Sequence, residues 1–369
     1  MTQWKKLITK VTHRTEGKFD SLRKGLGERL GRDDGDGFQI MPYHGYGTRE
    51  RLYLKGRVLE DEGISPAKAD DSTLRNLVNT YKRFESDEIA GALVKWRFEG
   101  IEEQVVTDEE GFFEIWIEPG ERLPADRIWH EVELELLSPL REGDPPVQAT
   151  GHILVPPSNA QFGVISDMDD TVIYTDAANV LKMARNVFMG NARTRVPFEG
   201  VAAFYQALQA GVEQNTLNPI FYVSSSPWNL YDILADFLEI QEIPTGPLML
   251  RDWGIKTDEM LPTKHGPHKI NAIRQILQTY PDLPFLLIGD SGQEDPEIYH
   301  DIVQQYPNRI LGVYIRNVTP KPKRAEAIFA LANEVAKAGT PFILANHTQE
   351  AATHAAAQGW ISAHALPLI

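Results

Sequence analysis

The chain has no cysteine among its 369 residues. Disulfides, thiolate nucleophiles and cysteine-ligated metals are excluded at once. It also lacks any apolar run of the ~18 residues that a membrane-spanning helix needs. Its first residues lack the apolar core of a signal peptide, so the cytoplasm is the expected location, with peripheral membrane contact left open. Positive charge is scarce: 37 Lys and Arg face 52 Asp and Glu, for a net charge of −15. A surface of that sign argues against nucleic acid as a partner of the general surface. There is no internal repeat and no long low-complexity segment. What is present is 42% hydrophobic residues, on a chain long enough for two ordinary domains with full cores.

The charge is unevenly placed. Residues 1–30 carry eight Lys and Arg against three Asp and Glu, a net +5 that leaves about −20 on the rest. Trp4, Leu7, Ile8 and Val11 fall at helical spacing, as do Phe19, Leu22, Leu26 and Leu30, with a slip near Gly17. This reads as a basic amphipathic segment. It suits an anionic membrane surface, and it equally suits packing on the chain's own domains or bundling with another copy, which would make a homo-oligomer. Residues 31–50 are glycine-rich and acidic, a linker. From Arg51 to Val155 the apolar pattern has period two (RLYLKGRVLE, ALVKWRFEG, FFEIWIEP, HEVELELL), broken by turn signals such as DEEG and EPGE. About seven short strands of this kind predict an immunoglobulin-like β-sandwich. The insert 65–88 reads as a helix-containing excursion. From Phe162 onward, strand-like runs alternate with helical ones, predicting an α/β doubly wound domain. The expected division is 1–48, 49–158 and 159–369.

The most informative stretch is FGVISDMDDT, Phe162 to Thr171. A buried strand ends in Asp167, Asp169 and Asp170. Unpaired buried charge is costly, and a divalent cation with hard oxygen ligands removes that cost, which suits Mg²⁺. An EF-hand is excluded, because no Gly or closing Glu follows at the required offsets. Downstream, the strand PIFYVS ends in Ser224, followed by Ser225, Ser226, Pro227 and Trp228. A hydroxyl there can bond a phosphoryl oxygen, and a helix start favours an anion. Lys269 opens the amphipathic run HKINAIRQILQTY. The strand PFLLI then ends in GDSGQED, which supplies Asp290 and Asp295.

Two strand-ending acidic loops, with a strand-ending Ser and a Lys between them, resemble the motifs of the haloacid dehalogenase (HAD) superfamily. SSSPWNLY and GDSGQEDPEIY further resemble the actin-patch-associated type of phosphatidate phosphatase, which is related to the lipins. This likeness covers roughly Gln161 to Thr319. It implies a HAD-like Rossmannoid fold and a Mg²⁺-dependent phosphomonoesterase acting on phosphatidate or a related phospholipid. It implies Asp167 as the nucleophile that becomes an aspartyl phosphate and Asp169 as general acid and base. Lys269 would neutralise charge, and Ser224, with Ser225 and Thr171, would hold the phosphate. Mg²⁺ would be held by Asp167, the Asp169 carbonyl and Asp290, with Asp295 and Asp170 in support. Other phosphoester substrates, on proteins or nucleic-acid ends, and a non-catalytic phospholipid sensor stay open.

The 52 residues between Thr171 and Ser224, and the 44 between Ser224 and Lys269, leave no room for a cap domain of roughly 60–150 residues. An open site suits a bulky phosphoester. Arg251, Lys264, His265 and His268 are expected to bring positive charge to its mouth.

Overall fold

The computed structural model describes residues 37–61, 88–123, 127–141, 143, 145–173, 197–251, 266–318 and 321–369. The basic segment 1–30, residues 65–87 of the insert, Lys264 and His265 lie outside the described residues.

The first part is one eight-stranded network. Its strands are β1 (Phe38–Pro42), β2 (Gly45–Gly47), β3 (Leu52–Glu60), β4 (Leu93–Phe98), β5 (Ile101–Val106), β6 (Phe112–Ile117), β7 (Trp129–Ser138) and β8 (Gln148–Leu154). The order is β1-β3-β2-β8-β7-β4-β5, with β6 branching from β3. Alternation sets which side chains go inward: Leu52 and Leu54 of β3, Val94 and Trp96 of β4, Ile115 and Ile117 of β6 and Val132 and Leu134 of β7 share one core.

The second part is a six-stranded parallel sheet. Its strands are β9 (Gly163–Ser166), β10 (Ile220–Pro227), β11 (Leu248–Arg251), β12 (Phe285–Asp290), β13 (Ile310–Arg316) and β14 (Phe342–Ala345), in the order β11-β10-β9-β12-β13-β14. The α-helices among the described residues are α1 (Val201–Ala210), α2 (Tyr231–Ile240), α3 (Gly266–Thr279), α4 (Asp295–Gln305), α5 (Pro322–Lys337) and α6 (Thr348–Ala357). Val164, Tyr222 and Leu286 pack on one face of this sheet, Ile165, Phe221 and Leu287 on the other. β9 and β12 are therefore continuous apolar runs, as expected for strands covered on both sides.

The expected fold class, a HAD-like doubly wound Rossmannoid domain preceded by an immunoglobulin-like sandwich and an amphipathic helix, is corrected by this architecture. The described chain is predominantly sheet, one mixed and one parallel, with few helices beside them. The first sheet is continuous, because β2 runs antiparallel to β3 but parallel to β8 and joins the two halves. The physical reason is that period-two alternation marks a strand but not its partner, and pairing is decided by contacts distant in sequence. The helix expected at the N-terminus falls outside the described residues, as do two stretches between strands of the second sheet, 174–196 and 252–265.

The two parts share packing. Phe112 of β6 belongs to a core cluster of the second sheet, and its ring lies 6.4 Å from those of Tyr43 and Trp228. Phe112→Ala should lower stability by about 3–5 kcal/mol, read by denaturant unfolding, since it empties a junction that neither sheet can refill alone.

Candidate active site

The three central neighbours β10, β9 and β12 run parallel, so their C-terminal ends meet at one edge. Ser166 of β9 pairs in register with Tyr222 and Ile288, which brings Asp167, Ser224 and Asp290 to the same level just beyond. Residues far apart in sequence meet there for that reason alone.

Lys269 is 2% exposed, on the first turn of α3. Its Nζ lies 2.8 Å from Asp167 Oδ1 and donates to Asp295 Oδ1 at 2.6 Å. The other oxygen of Asp295 accepts the Asp290 amide at 3.1 Å. Asp295 thus ties α4 to both the lysine and the end of β12. This close approach needs Gly289: a Cβ there would sit 2.6 Å from Asp295 Oδ2 and 2.8 Å from the Tyr299 ring.

Asp167, Asp290 and Asp295 each offer an oxygen within 4.8 Å of the others, all buried. Oδ1 of Asp290 accepts the amides of Gly292 and Gln293 at 2.6 and 3.1 Å. Its Oδ2 is buried with no hydrogen-bond partner. Three buried carboxylates against one ammonium leave negative charge unbalanced. Burial pushes the Asp167 carboxyl well up, opposed by Lys269 and reinforced by Asp295 and Asp290. Burial, then Asp295, push Asp290 up to about 8. Burial disfavours the Lys269 charge, but Asp167 and Asp295 outweigh it and hold the ammonium protonated beyond its ordinary range. An unpartnered buried oxygen among hard oxygen donors is the chemistry a small divalent cation fits.

Asp169 is partly exposed, and its Oδ2 accepts the hydroxyls of Ser224 and Ser226, both at 3.1 Å. The Ser226 amide in turn donates to Ser224 Oγ at 3.0 Å. Residues 224 and 226 lie on one side of β10, whereas Ser225 points to the other, where its hydroxyl is buried without a partner. Thr171 Oγ1 faces Asp167 Oδ2 at 3.4 Å. Asp170 is 4% exposed and holds φ +58, a left-handed conformation that turns the loop back so that its amide reaches Ile173 O at 2.8 Å.

The positive mouth takes a different form. The His268 ring is partly buried against the Met249 carbonyl, and burial lowers its pKa, so it is neutral near pH 7 rather than a cation. Arg251 ends β11. Sequence reasoning gave Ser226 no role and did not reach Arg316. The triple serine on a strand carried the signal for the first. Arg316 had none, because its role is long-range: its Nε donates to Thr171 O at 3.1 Å and its Nη2 to Thr348 Oγ1 at 3.0 Å.

A family model described as "Phosphatidate phosphatase APP1, catalytic domain" matches residues 162–317, which hold every side chain of this cluster. Over 156 residues the chain is 34% identical to "Phosphatidate phosphatase APP1" of Saccharomyces cerevisiae, covering 42% of this chain and 26% of that protein. The segment 162–317 belongs to the APP1-type catalytic family. An uncharacterized protein of Schizosaccharomyces pombe is 28% identical over 160 residues, covering 42% of this chain and 25% of that one. The chain thus matches only about a quarter of the length of these relatives. A carbohydrate acetylesterase from Xanthomonas citri aligns over 79% of this chain and 72% of its own, at 12% identity and a TM-score of 0.26, too low to bear on the APP1-type segment.

Two outcomes test the electrostatics. Lys269→Met should destabilise the APP1-type segment by about 3–5 kcal/mol, because it strands buried carboxylates. In chelator, the wild-type melting temperature should fall as pH rises from 3.8 to about 8: the unfolded chain releases the Asp290 proton first, so folding is favoured at the acid end of that window. Lys269 adds no slope there, since its pKa lies above it. A flat profile would mean that the carboxylates are not strained by burial.

Proposed function

We propose that the chain is a phosphomonoesterase that removes phosphate from phosphatidate or a related phospholipid, with Mg²⁺ as its cofactor. The observation that carries this reading is the buried Asp167 carboxylate, ion-paired to Lys269 and crowded by Asp290 and Asp295 at the edge of a parallel sheet. The family likeness of 162–317 supports the substrate class.

Asp167 and Asp290, with the Asp169 carbonyl, would hold Mg²⁺, which supplies charge neutralisation for a phosphate dianion. Asp167 attacks phosphorus through Oδ2, since Oδ1 faces Lys269. The new Asp167–phosphorus bond replaces the ester bond, giving an aspartyl phosphate and an alkoxide. Asp169 donates its proton to that alkoxide. It then takes a proton from the water that hydrolyses the acyl phosphate, returning the Asp167 carboxylate and free phosphate. Partial exposure gives Asp169 access to both the leaving group and water, and Ser224 and Ser226 hold it in place. Lys269 stays protonated throughout and offsets charge on the transferring group. Asp295 orients Lys269, and Arg316 fixes the loop through the Thr171 carbonyl. Among the described residues no helix is long and apolar enough to cross a membrane. In this reading the lipid is reached peripherally, from the cytoplasmic side, and the net +5 of residues 1–30 suits an anionic membrane surface as well as packing within the chain.

Phosphate release should be measured on phosphatidate, lysophosphatidate, a phosphopeptide and phosphorylated oligonucleotides. Phosphatidate should lead, activity should vanish on chelation, and Asp167→Asn should cost on the order of 10⁴-fold or more in kcat. Release confined to the phosphopeptide or the oligonucleotide would overturn the lipid reading. Asp169→Asn should slow both half-reactions. With p-nitrophenyl phosphate, whose leaving group needs no proton, a phosphate adduct on Asp167 should then appear in intact mass spectra at low pH. Unimpaired turnover by that variant would remove Asp169 as acid and base.

A further inference from the structure

At its C-terminal end β10 leaves the regular ladder. Val223 pairs with Met249 of β11 and Pro227 with Arg251, so three residues of β10 lie between pairs that one residue of β11 separates. The surplus is a bulge of Ser224, Ser225 and Ser226. On the other side, the last residue of β10 paired with β9 is Tyr222. The bulge brings two serine hydroxyls onto one oxygen of Asp169, both at 3.1 Å, with the Ser226 amide on Ser224 Oγ at 3.0 Å. A bulge re-aims side chains by giving up ladder pairing, so its shape depends on how its two ends are held.

The near end is the ladder itself. The far end is held from the first sheet. Only Pro227 separates Ser226 from Trp228, and its ring locks φ, here −73, so a shift of Trp228 passes to the serines with little slack. Trp228 opens a 3₁₀ turn that leads into α2 at Tyr231. Tyr43, 2% exposed between β1 and β2, stacks its ring on Trp228 at 4.3 Å and 27° and meets the Tyr231 ring at 4.6 Å. The next residue, His44, donates its amide to the Tyr231 hydroxyl at 2.7 Å. Lys55 of β3 brings its ammonium 5.4 Å from the Trp228 ring. Tyr43 is fixed in turn, because its amide donates to the Lys55 carbonyl at 2.9 Å.

We infer that Tyr43 is a positioning residue of the active site: stacked on Trp228, it fixes the serine bulge that holds Asp169, and the first sheet is thereby part of the catalytic apparatus. The inference rests on the reading of Asp169 as acid and base given above. Burial alone would stabilise the junction wherever the rings met, and they meet at the residue that closes the bulge. Tyr43 acts through Trp228, so its effect falls on where the Asp169 carboxyl points. Misplacing such a group by about an ångström costs on the order of 100-fold in rate.

The test uses the full chain in Mg²⁺, with Tyr43→Leu, Trp228→Leu, the two together, and Tyr43→Phe. On phosphatidate, Tyr43→Leu should lower kcat about 10- to 100-fold with KM held within about threefold. Trp228→Leu should do the same, and the double variant should lose no more than either, because the two rings act as one. Tyr43→Phe keeps the stack and should stay within about threefold of wild type. With p-nitrophenyl phosphate, Tyr43→Leu should accumulate the phosphate adduct on Asp167 that a misplaced base leaves unhydrolysed; a mere loss of folded protein produces no adduct. Additive losses in the double variant, a parallel fall on both substrates without adduct, undiminished turnover by Tyr43→Leu, or a Tyr43→Phe variant as poor as Tyr43→Leu would overturn the inference. Hydrogen exchange reads the bulge without turnover. The Ser226 amide should exchange about tenfold faster in Tyr43→Leu while residues 273–277 of α3 keep their wild-type rates. If this holds but wild type releases phosphate from neither substrate, the phosphatase reading fails and the clamp stands. Unchanged exchange at Ser226 sinks the clamp, and Trp228→Leu answers the same question should Tyr43→Leu not fold.

Discussion

The site depends on one buried ammonium. Lys269 is almost sealed from solvent and touches two carboxylates at 2.8 and 2.6 Å. Removing either partner would strand a charge that burial makes expensive, so the three side chains hold one another. Through Asp167 the lysine is linked to β9, through Asp295 to α4, and through its own backbone to α3. Three elements separated in sequence are thus pinned at one point. The same arrangement leaves a net negative surplus, concentrated on Asp290, whose Oδ2 has no hydrogen-bond partner. That surplus is the charge a bound divalent cation would offset.

Around this pin the loops are held by backbone ladders and by arginine side chains bonded to loop carbonyls. Asp167 donates its amide to Ile288 O at 2.8 Å, and Ser291 donates to Arg316 O at 2.9 Å, continuing the ladders past the strand ends. Arg324 donates to the carbonyls of Ser291 and Gln293 at 2.8 and 2.6 Å while also pairing with Glu297. The loop after β12 is therefore clasped from α5, and the loop after β9 from β13 through Arg316. Rigid loops suit phosphoryl transfer, which is mostly positioning and charge neutralisation.

The site residues were legible because each sits at the end of an apolar run, where a carboxylate or serine is out of place unless it has work to do. Asp167, Asp169, Ser224, Asp290 and Asp295 were visible in that way; Lys269, at the start of a helix, was visible only by its place between the serine and the second acidic loop, and the structure brings it against Asp167 and Asp295. Ser226 was only half visible: it needed the strand to run three residues further than PIFYVS, which places it on the same face as Ser224. His268 was misread as a cation, since exposure cannot be read from a sequence and burial removes its charge.

The sequence by itself determined most of the strands, through alternation and apolar runs, and the chemistry of the loops, through residue type at strand ends; β1 and β2 escaped it, because they lie in the glycine-rich stretch 31–50 read as a linker. Those are local properties, set by side-chain direction and by the cost of buried charge. Only the tertiary structure decided the sheet order, the parallel seam between β2 and β8, the bond from Arg316 to the Thr171 carbonyl and the stack of Tyr43 on Trp228. These rest on contacts between residues far apart along the chain. Their energy comes from surfaces that do not exist until the two sheets have met.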